Sequence, residues 1–418
     1  MQSTPSEPVR VITHGCRLNA AESGAIATAA REAGFNDLVV HNSCAVTAEA
    51  VRTLRQAIRR SRRERPGARI VVTGCAAHTD GTALAAMPEV DAVVANPDKL
   101  RPDLFRRSTV PTSLRSTVPE RSEWAPGAME GRARAFVPVQ NGCDHACTFC
   151  AIPDGRGASR SQPLGAVVER IHALRDAGVE EVVLTGVDLT SYRDEGARLG
   201  DLVQAILAGV SDLSRLRLSS IDSIEADPAL LDALGDERLM PHLHLSLQHG
   251  HDLILKRMRR RHSRLEAIAF CEEARRRRPG ITFGADLIAG FPTETDAHHA
   301  ASRDLSAACG LTHLHVFPFS PRAGTPAARM PPLPRETALS RARELRAVGR
   351  NARLRHLAGR VGSRDRVVVH HGTDALGRRT GLTGDFCTAI LWPDARPGEL
   401  VDIVVVAAEG ERLVARVA

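Results

Sequence analysis

Apolar positions in the first hundred residues fall into short runs separated by amphipathic stretches. VRVIT (9–13), LVVHN (38–42), ARIVVTG (68–74) and DAVVAN (91–96) read as strands. An alanine-rich stretch, 20–33, reads as a helix stopped by Gly34. A longer helix over 46–64 carries Val51, Leu54 and Ile58 on one side and ends at Pro66-Gly67. Strand alternating with helix predicts a small doubly wound domain on a parallel sheet.

Residues 101–133 break the pattern. They hold Pro, Ser and Arg without periodicity, with RSTVP occurring twice, and read as a linker. Alternation then resumes over 134–355. Strands are expected at AFVPVQ (135–140), EEVVLTG (180–186), RLRLSSI (215–221), HLHLSLQ (242–248), ITFGADLIAG (281–290) and THLHVFPFS (312–320). Helices are expected over 164–177, with Val167, Val168, Ile171 and Leu174 on one face, and over 263–278. Six strand–helix units in series predict a partial (β/α)6 barrel, with an open doubly wound sheet as the rival. A helix over 335–356 follows, and then the period changes. RVVVH, RRTGLT, FCTAILW, LVDIVVV and RLVARV are short β runs split by Gly, Asp and Pro, so 356–418 reads as a small β-barrel. The expected domains are therefore 1–100, 134–355 and 356–418, with 101–133 between the first two.

Composition narrows the class. The 418 residues are 43% hydrophobic but only 3% aromatic, so the cores rest on Leu, Val, Ile and Ala. Lys+Arg is 56 against Asp+Glu at 49, a formal charge of +7, and the basic residues are nearly all arginine in runs. Guanidinium forks match phosphate, which favours an RNA or nucleotide partner. No secretory signal and no apolar run of about 20 residues is present, so the expectation is a cytoplasmic protein with no membrane partner. Its nine cysteines then read as metal ligands or packing rather than disulfides.

Six of those cysteines fall into two sets. NGCDHACTFC places Cys143, Cys147 and Cys150 at C-x3-C-x2-C, just past the first strand of the second domain. Cys16, Cys44 and Cys75 are far apart in sequence, yet each follows a strand at once, in VRVITHGC, LVVHNSC and RIVVTGC. Parallel strands end along one edge, so the three thiols are expected to converge. Cys271, Cys309 and Cys387 stand alone and read as packing. A zinc site would take His145 as a fourth ligand beside the close trio. A cubane held by three thiolates would instead leave one iron open to a reactant.

The second domain resembles the radical S-adenosylmethionine superfamily, whose signature is this spacing. A wider resemblance, to the methylthiotransferases, covers nearly the whole chain. It rests on THGCRLN (13–19), HNSCAVT (41–47), VVTGC (71–75), CDHACTFCAIPDGRGASRS (143–161), LTGVDL (184–189), LSLQHGHDLILKRMRRRHS (245–263), DLIAGFPTET (286–295) and FPFSPRAGTPA (317–327). The C-terminal module resembles the RNA-binding TRAM domain. CRLN and GRGASRS look most like the branch acting on N6-threonylcarbamoyladenosine in tRNA.

The resemblance implies a radical 4Fe-4S cluster on Cys143, Cys147 and Cys150, with S-adenosylmethionine (SAM) on its open iron. It implies an auxiliary 4Fe-4S cluster on Cys16, Cys44 and Cys75 that carries the sulfur to be donated. The target is an adenine C2–H bond, on which acid–base catalysis has little purchase, whereas a cofactor-derived radical abstracts that hydrogen directly. A second SAM would supply the methyl group. No catalytic residue beyond the cluster ligands is expected. Implied partners are the tRNA anticodon stem-loop, an electron donor such as flavodoxin or ferredoxin, and a sulfur donor.

Further contacts are carried over by position. Phe149 would line the adenine pocket. Thr185, Gly186 and Asp188 would contact the methionyl group of SAM, and Ile288 and Gly290 its adenine. Arg52, Arg55, Arg59, Arg62 and Arg63 share one side of the 46–64 helix and would guide RNA, with Arg257 and Arg260 in a second run that also holds Arg259 and Arg261. A third run, Arg275 to Arg278, reads as a solvated face. Two alternatives remain at this point. One is a sibling methylthiotransferase acting on N6-isopentenyladenosine or on a ribosomal-protein aspartate. The other is a non-enzymatic RNA-binding protein with structural zinc.

Overall fold

The computed structural model describes residues 8–106 and 134–418. The chain forms two compact units. Among the described residues the first holds 8–106, 141–160 and 321–325, and the second holds 134–140, 161–320 and 326–418.

In the first unit four parallel strands, Val9–Thr13, Leu38–Ser43, Arg69–Gly74 and Ala92–Val93, pair in chain order. Alternate residues along a strand face opposite ways. Val9, Leu38, Val40 and Val71 pack with Ile26 and Ala30 of the helix Arg17–Glu32. Val39, Ile70 and Val72 pack with Val51, Leu54 and Ile58 of the helix Ala48–Glu64. Both faces are thus covered, as the apolar runs predicted. Thr47 starts the second helix by accepting the Ala50 N–H.

The boundary expected at residue 100 falls short. Pro102–Phe105 is a helical turn opened by its proline, and Phe105 is buried with Ile26 and Val40. One aromatic in a four-residue turn leaves no periodicity to read. The rest of the expected linker, 107–133, lies outside the described residues.

The second unit contains the six expected parallel strands, shifted at their ends by one or two residues. They are Arg134–Pro138, Glu181–Thr185, Arg215–Leu218 (carried on by Ser220–Ile221), His242–Gln248, Thr282–Ala289 and Leu311–Pro318, each beside the next in chain order. RLRL and HLHL alternate, which in an exposed sheet would mark a solvated face. Here both faces are inside. Leu216, Leu218, Leu243 and Leu245 join the helix-packed core, while Arg215, Arg217, His242 and His244 are also buried.

The C-terminal module is a closed five-stranded barrel. Its Thr383–Cys387 loop supplies what those buried polar groups need. Arg217 donates to the carbonyls of Thr383 and Gly384, at 3.1 and 3.0 Å, and to both Glu181 oxygens. Phe386 stacks on His242 with 4.7 Å between ring centroids. Cys271, Cys309 and Cys387 are buried, as expected of packing residues, but Cys271 and Cys309 lie against one another rather than alone.

Candidate metal centre

Parallel register does what the three strand-end cysteines require. Thr13 lies opposite Asn42, and Ser43 opposite Gly74, so Cys16, Cys44 and Cys75 follow neighbouring strand ends. Cys75 and Cys16 lie near enough to raise the proton affinity of Cys44, and Cys75 that of Cys16. Gly15 is left-handed at φ +93°, and a Cβ there would stand 2.7 Å from the Cys44 Sγ. Cys16 opens the helix Arg17–Glu32, its Sγ accepting the Asn19 N–H at 3.5 Å. The Asn19 amide donates to the carbonyls of His14 and Ser43, at 2.7 and 2.9 Å, tying two cysteine-bearing turns together. Ser43 Oγ bonds the Thr73 carbonyl and accepts the Ala76 N–H, which fixes the turn at Cys75.

The close trio sits on a loop of the same unit. Gly142 and Gly157 both have φ +74°, and a Cβ on Gly142 would collide with the Ala158 carbonyl. The Cys143 N–H donates to the Gly157 carbonyl at 3.1 Å, closing the loop. Cys150 Sγ accepts the Ile152 N–H at 3.4 Å. All six cysteines are unbridged.

The residues after the trio form a feature that the sequence pattern does not show. The helix Ile152–Arg156 begins just after Cys150, and a Cβ on its Gly155 would stand 3.3 Å from the Cys75 Cβ. Its last residue, Arg156, is buried against Glu22, Asn19 and Asn141. Lys99 Nζ reaches the same Glu22 carboxylate at 2.6 Å. Two cations thus face one carboxylate beside three thiols. Burial pushes the Cys44 thiol up to about 11, and the neighbouring Cys75 and Cys16 add to the push. Burial would by itself depress the Arg156 guanidinium, yet Cys75, Glu22 and Cys16 hold it charged. A thiolate set fits here because a buried positive charge and an amide N–H both favour the ionised sulfur. The signal in the sequence was an unpaired arginine within GRGASRS.

The other expected contacts lie as follows. Thr185, Gly186 and Asp188 close the second barrel strand; Thr185 is buried, and the Asp188 N–H donates to Gln140 Oε1 at 2.9 Å. Gly186 has no room for a side chain because Gln140 packs on it. Ile288 and Gly290 close the fifth strand. Glu294 accepts the Gly290 N–H at 2.9 Å and that of Phe291 at 3.3 Å, and Arg341 and His249 hold it in turn. Asp286 on the same strand lies between His244, at 2.9 Å, and His315, at 3.3 Å, which keep it ionised despite burial. Glu294 and Asp286 were also missed, since both stand in motifs where the glycines drew attention. Phe149 is half-buried on the cysteine loop.

Two expected RNA contacts already have partners within the chain. Arg62 is a clamp inside its own unit, donating to Asp91 at 2.6 Å and to the carbonyls of Pro66, Ala68 and Glu89. Arg260 bonds Asp222 and the Ser246 carbonyl, both at 2.7 Å. Their forks are bonded within the chain: Arg62 lies on the last turn of the helix Ala48–Glu64, and Arg260 follows the helix Asp252–Met258. Arg257 is partly tied to Thr293 Oγ1. Arg52, Arg59 and Arg63 are exposed, and Arg55 is half-buried. No helix among the described residues is long and apolar enough to cross a membrane.

Comparison with known proteins gives the family. Residues 137–305 match the radical SAM superfamily, and residues 8–95 match the uncharacterized protein family UPF0004. The chain is 41% identical over 371 residues to the threonylcarbamoyladenosine tRNA methylthiotransferase MtaB of Rickettsia prowazekii, covering 87% of this chain and 88% of that protein. Its counterpart from Bacillus subtilis is 33% identical, covering 76% and 74%. A tRNA-2-methylthio-N(6)-dimethylallyladenosine synthase of Cereibacter sphaeroides is 33% identical, covering 98% and 99%. Among solved structures, the radical SAM methyltransferase TsrM of Kitasatospora setae aligns with a TM-score of 0.56 at 17% identity, covering 77% and 75%, a likeness of fold.

Proposed function

The chain belongs to the radical SAM methylthiotransferases, enzymes that use a 4Fe-4S cluster and SAM, and on that premise we propose that it converts N6-threonylcarbamoyladenosine beside the anticodon of tRNA to its 2-methylthio derivative. Cys143, Cys147 and Cys150 would hold the radical cluster, and Cys16, Cys44 and Cys75 a second cluster. When bound, these groups supply hydrogen abstraction at C2 and the sulfur that replaces the hydrogen.

The chain's own residues bind and orient. The Ile152 and Asn19 N–H groups favour ionised sulfur at Cys150 and Cys16. Arg156 keeps a positive charge beside the second trio. Thr185, Gly186, Asp188, Ile288 and Gly290 would contact SAM, with Glu294 holding the Gly290 turn in shape, and Phe149 keeps the adenine-lining role that the resemblance implies. Arg52, Arg55, Arg59 and Arg63 remain for the anticodon stem. A sulfur donor and an electron donor such as flavodoxin or ferredoxin would complete the reaction, in the cytoplasm.

One observation supports the reading: two trios of unbridged cysteines share one compact unit, with the short helix Ile152–Arg156 running from just after Cys150 to the Arg156–Glu22 pair. The test is anaerobic reconstitution followed by nucleoside mass spectrometry of treated tRNA. About eight irons per chain are expected, with the 2-methylthio nucleoside formed from threonylcarbamoyl-modified tRNA. Zinc in place of iron, or product only from isopentenyl-modified tRNA, would reject it.

A further inference from the structure

The last three strands of the second unit's parallel sheet each place one polar side chain at the same level. His244 stands between Leu243 and Leu245, Asp286 between Ala285 and Leu287, and His315 between Leu314 and Val316. All six neighbours pack in or against the helix-covered core, so by alternation the three polar residues face the barrel interior. Asp286 lies directly opposite His315 in the parallel register, and His244 opposite Gly284. A Cβ at Gly284 would collide with His244 Nδ1, so the ring occupies space that the glycine leaves.

Asp286 Oδ1 is 2.9 Å from His244 Nε2 and 3.3 Å from His315 Nδ1, and the three atoms lie within 4.8 Å of one another. Donors about 2.0–2.1 Å from one zinc stand about 3–3.4 Å apart, so the carboxylate oxygen already has the spacing to each ring nitrogen that a shared ion requires. Two residues earlier on the outer two of these strands, His242 and His313 pack on Phe386, which fills the interior on that side. His244 is buried, whereas the side chains of Asp286 and His315 are 24% and 55% exposed, so the cluster has an open side. Ile288, an expected SAM contact, comes two residues after Asp286 on the same strand.

We propose that His244, Asp286 and His315 form a third metal site, which takes one divalent ion of the zinc class and leaves part of its coordination open to the barrel interior. Two imidazoles and one carboxylate suit zinc, whereas magnesium and calcium prefer oxygen donors throughout. Three protein ligands on a four-coordinate ion leave one position free. An open zinc there binds and polarises an oxygen ligand. On the tRNA reading above, on which this part of the inference rests, that ligand is the carboxylate of the threonylcarbamoyl group. An isopentenyl group has no oxygen to offer, so the ion would select between the two modified adenines by chemistry rather than by size.

The test uses the full, anaerobically reconstituted chain, equilibrated with zinc and freed of the excess by gel filtration. Metal analysis should find about one zinc per chain beside the cluster iron, not in its place. Zinc-edge X-ray absorption should show nitrogen and oxygen ligands without sulfur, which separates this site from the cysteines. His315→Ala should lose the zinc and keep the iron, and because that side chain is more than half exposed its urea unfolding should match the wild type. Asp286→Asn should lose the zinc as well. Fluorescence anisotropy then reads the ligand. Zinc should tighten binding of threonylcarbamoyl-modified tRNA about tenfold, as one charge-assisted contact does, and leave unmodified tRNA unchanged. No zinc above trace, sulfur in its coordination shell, or zinc retained by both variants would overturn the proposal and leave the three residues a hydrogen-bonded cluster. Zinc that tightens both RNAs alike would overturn the assignment of its ligand. A chain that holds zinc through these residues but binds neither RNA would remove the tRNA reading and uphold the metal site.

Discussion

Arg156 and Glu22 stand 134 positions apart and are bonded twice, with guanidinium N–H groups donating to the two carboxylate oxygens at 2.9 and 3.2 Å. Both side chains are buried. The helix that ends in Arg156 starts just after Cys150, and the helix that carries Glu22 is capped by Cys16. One buried ion pair therefore fixes the two elements that leave the two cysteine sets.

Arg156→Met should unfasten them. Glu22 would keep only Lys99, and the Asn19 and Asn141 side-chain oxygens would each lose one donor, keeping the Cys16 thiol and the Gly142 N–H. Removing one partner of a buried pair costs about 3 kcal/mol. Urea unfolding should show that loss, and iron analysis should show fewer irons at the Cys16, Cys44 and Cys75 set. Arg156→Lys, which keeps the charge but not the fork, should fall between. Unchanged stability and iron content would mean the pair fastens nothing.

The same carboxylate predicts how stability responds to acid. Burial alone would raise Glu22 and Glu181, but Arg156 and Lys99 pull the first down to about 2, and Arg217 and Arg215 do the same for the second. Each folded value is below the ordinary 4.5. Their stabilisation is thus complete above pH 4.5 and is lost as pH falls toward 2. His41 and His313 act earlier. Burial, helped by His14 and by Arg353 respectively, lowers both to about 3, so the folded chain keeps them neutral while the unfolded chain protonates near 6.5. Stability should therefore begin to decline below pH 6.5, each such group adding about 1.4 kcal/mol per pH unit. Unfolding free energies measured by urea across this range should show two stages, and His313→Gln should flatten only the upper one.

Two glycines separate backbone strain from crowding at the metal centre. Gly15 and Gly34 have φ of +93° and +75°, so alanine is strained at either, by about 1–2 kcal/mol. At Gly34 the new Cβ meets nothing within 4 Å, whereas at Gly15 it meets the Cβ and Sγ of Cys44. Gly15→Ala should lose more stability than Gly34→Ala, because the clash with Cys44 adds to the same backbone strain. Only Gly15→Ala should lose the second cluster, leaving about four irons per chain. Equal iron loading in the two would show that Cys44 tolerates displacement.

Much of this was legible before folding. Consecutive apolar runs gave the first sheet its strands, and parallel pairing alone made Cys16, Cys44 and Cys75 neighbours. What escaped reading was set by tertiary partners. The 46–64 helix shows five arginines on one side, but nothing in the sequence says that Arg62 folds back onto four groups of its own unit. Arg156 looked like one more arginine until Glu22 lay beside it. Trp392 was one aromatic in FCTAILW, and only the closed register turned it outward beside Arg416. RLRL and HLHL carried the right period, but whether the polar face met water depended on a loop more than 130 residues further on.

That loop gives the last prediction. Arg217 is fully buried; it bonds both Glu181 oxygens and the carbonyls of Thr383 and Gly384. Arg215 adds a bond to the Leu382 carbonyl at 3.0 Å, and Thr282 Oγ1 one to that of Asp385 at 3.1 Å. Arg217→Met would strand the Gly384 carbonyl and leave that of Thr383 only the Phe386 N–H, while Glu181 stays partly paired by Arg215. A loss of about 3 kcal/mol follows from breaking a buried pair, and the loop should detach before the module's own barrel opens. Hydrogen exchange should therefore accelerate over 382–387 and leave the strand Leu400–Glu409 protected. Arg350→Met, which removes an exposed pair with Glu411, should change stability by at most about 1 kcal/mol. If exchange at 382–387 stays slow in Arg217→Met, the loop is held by Phe386 packing between His242 and His313, and the buried arginine is incidental to it.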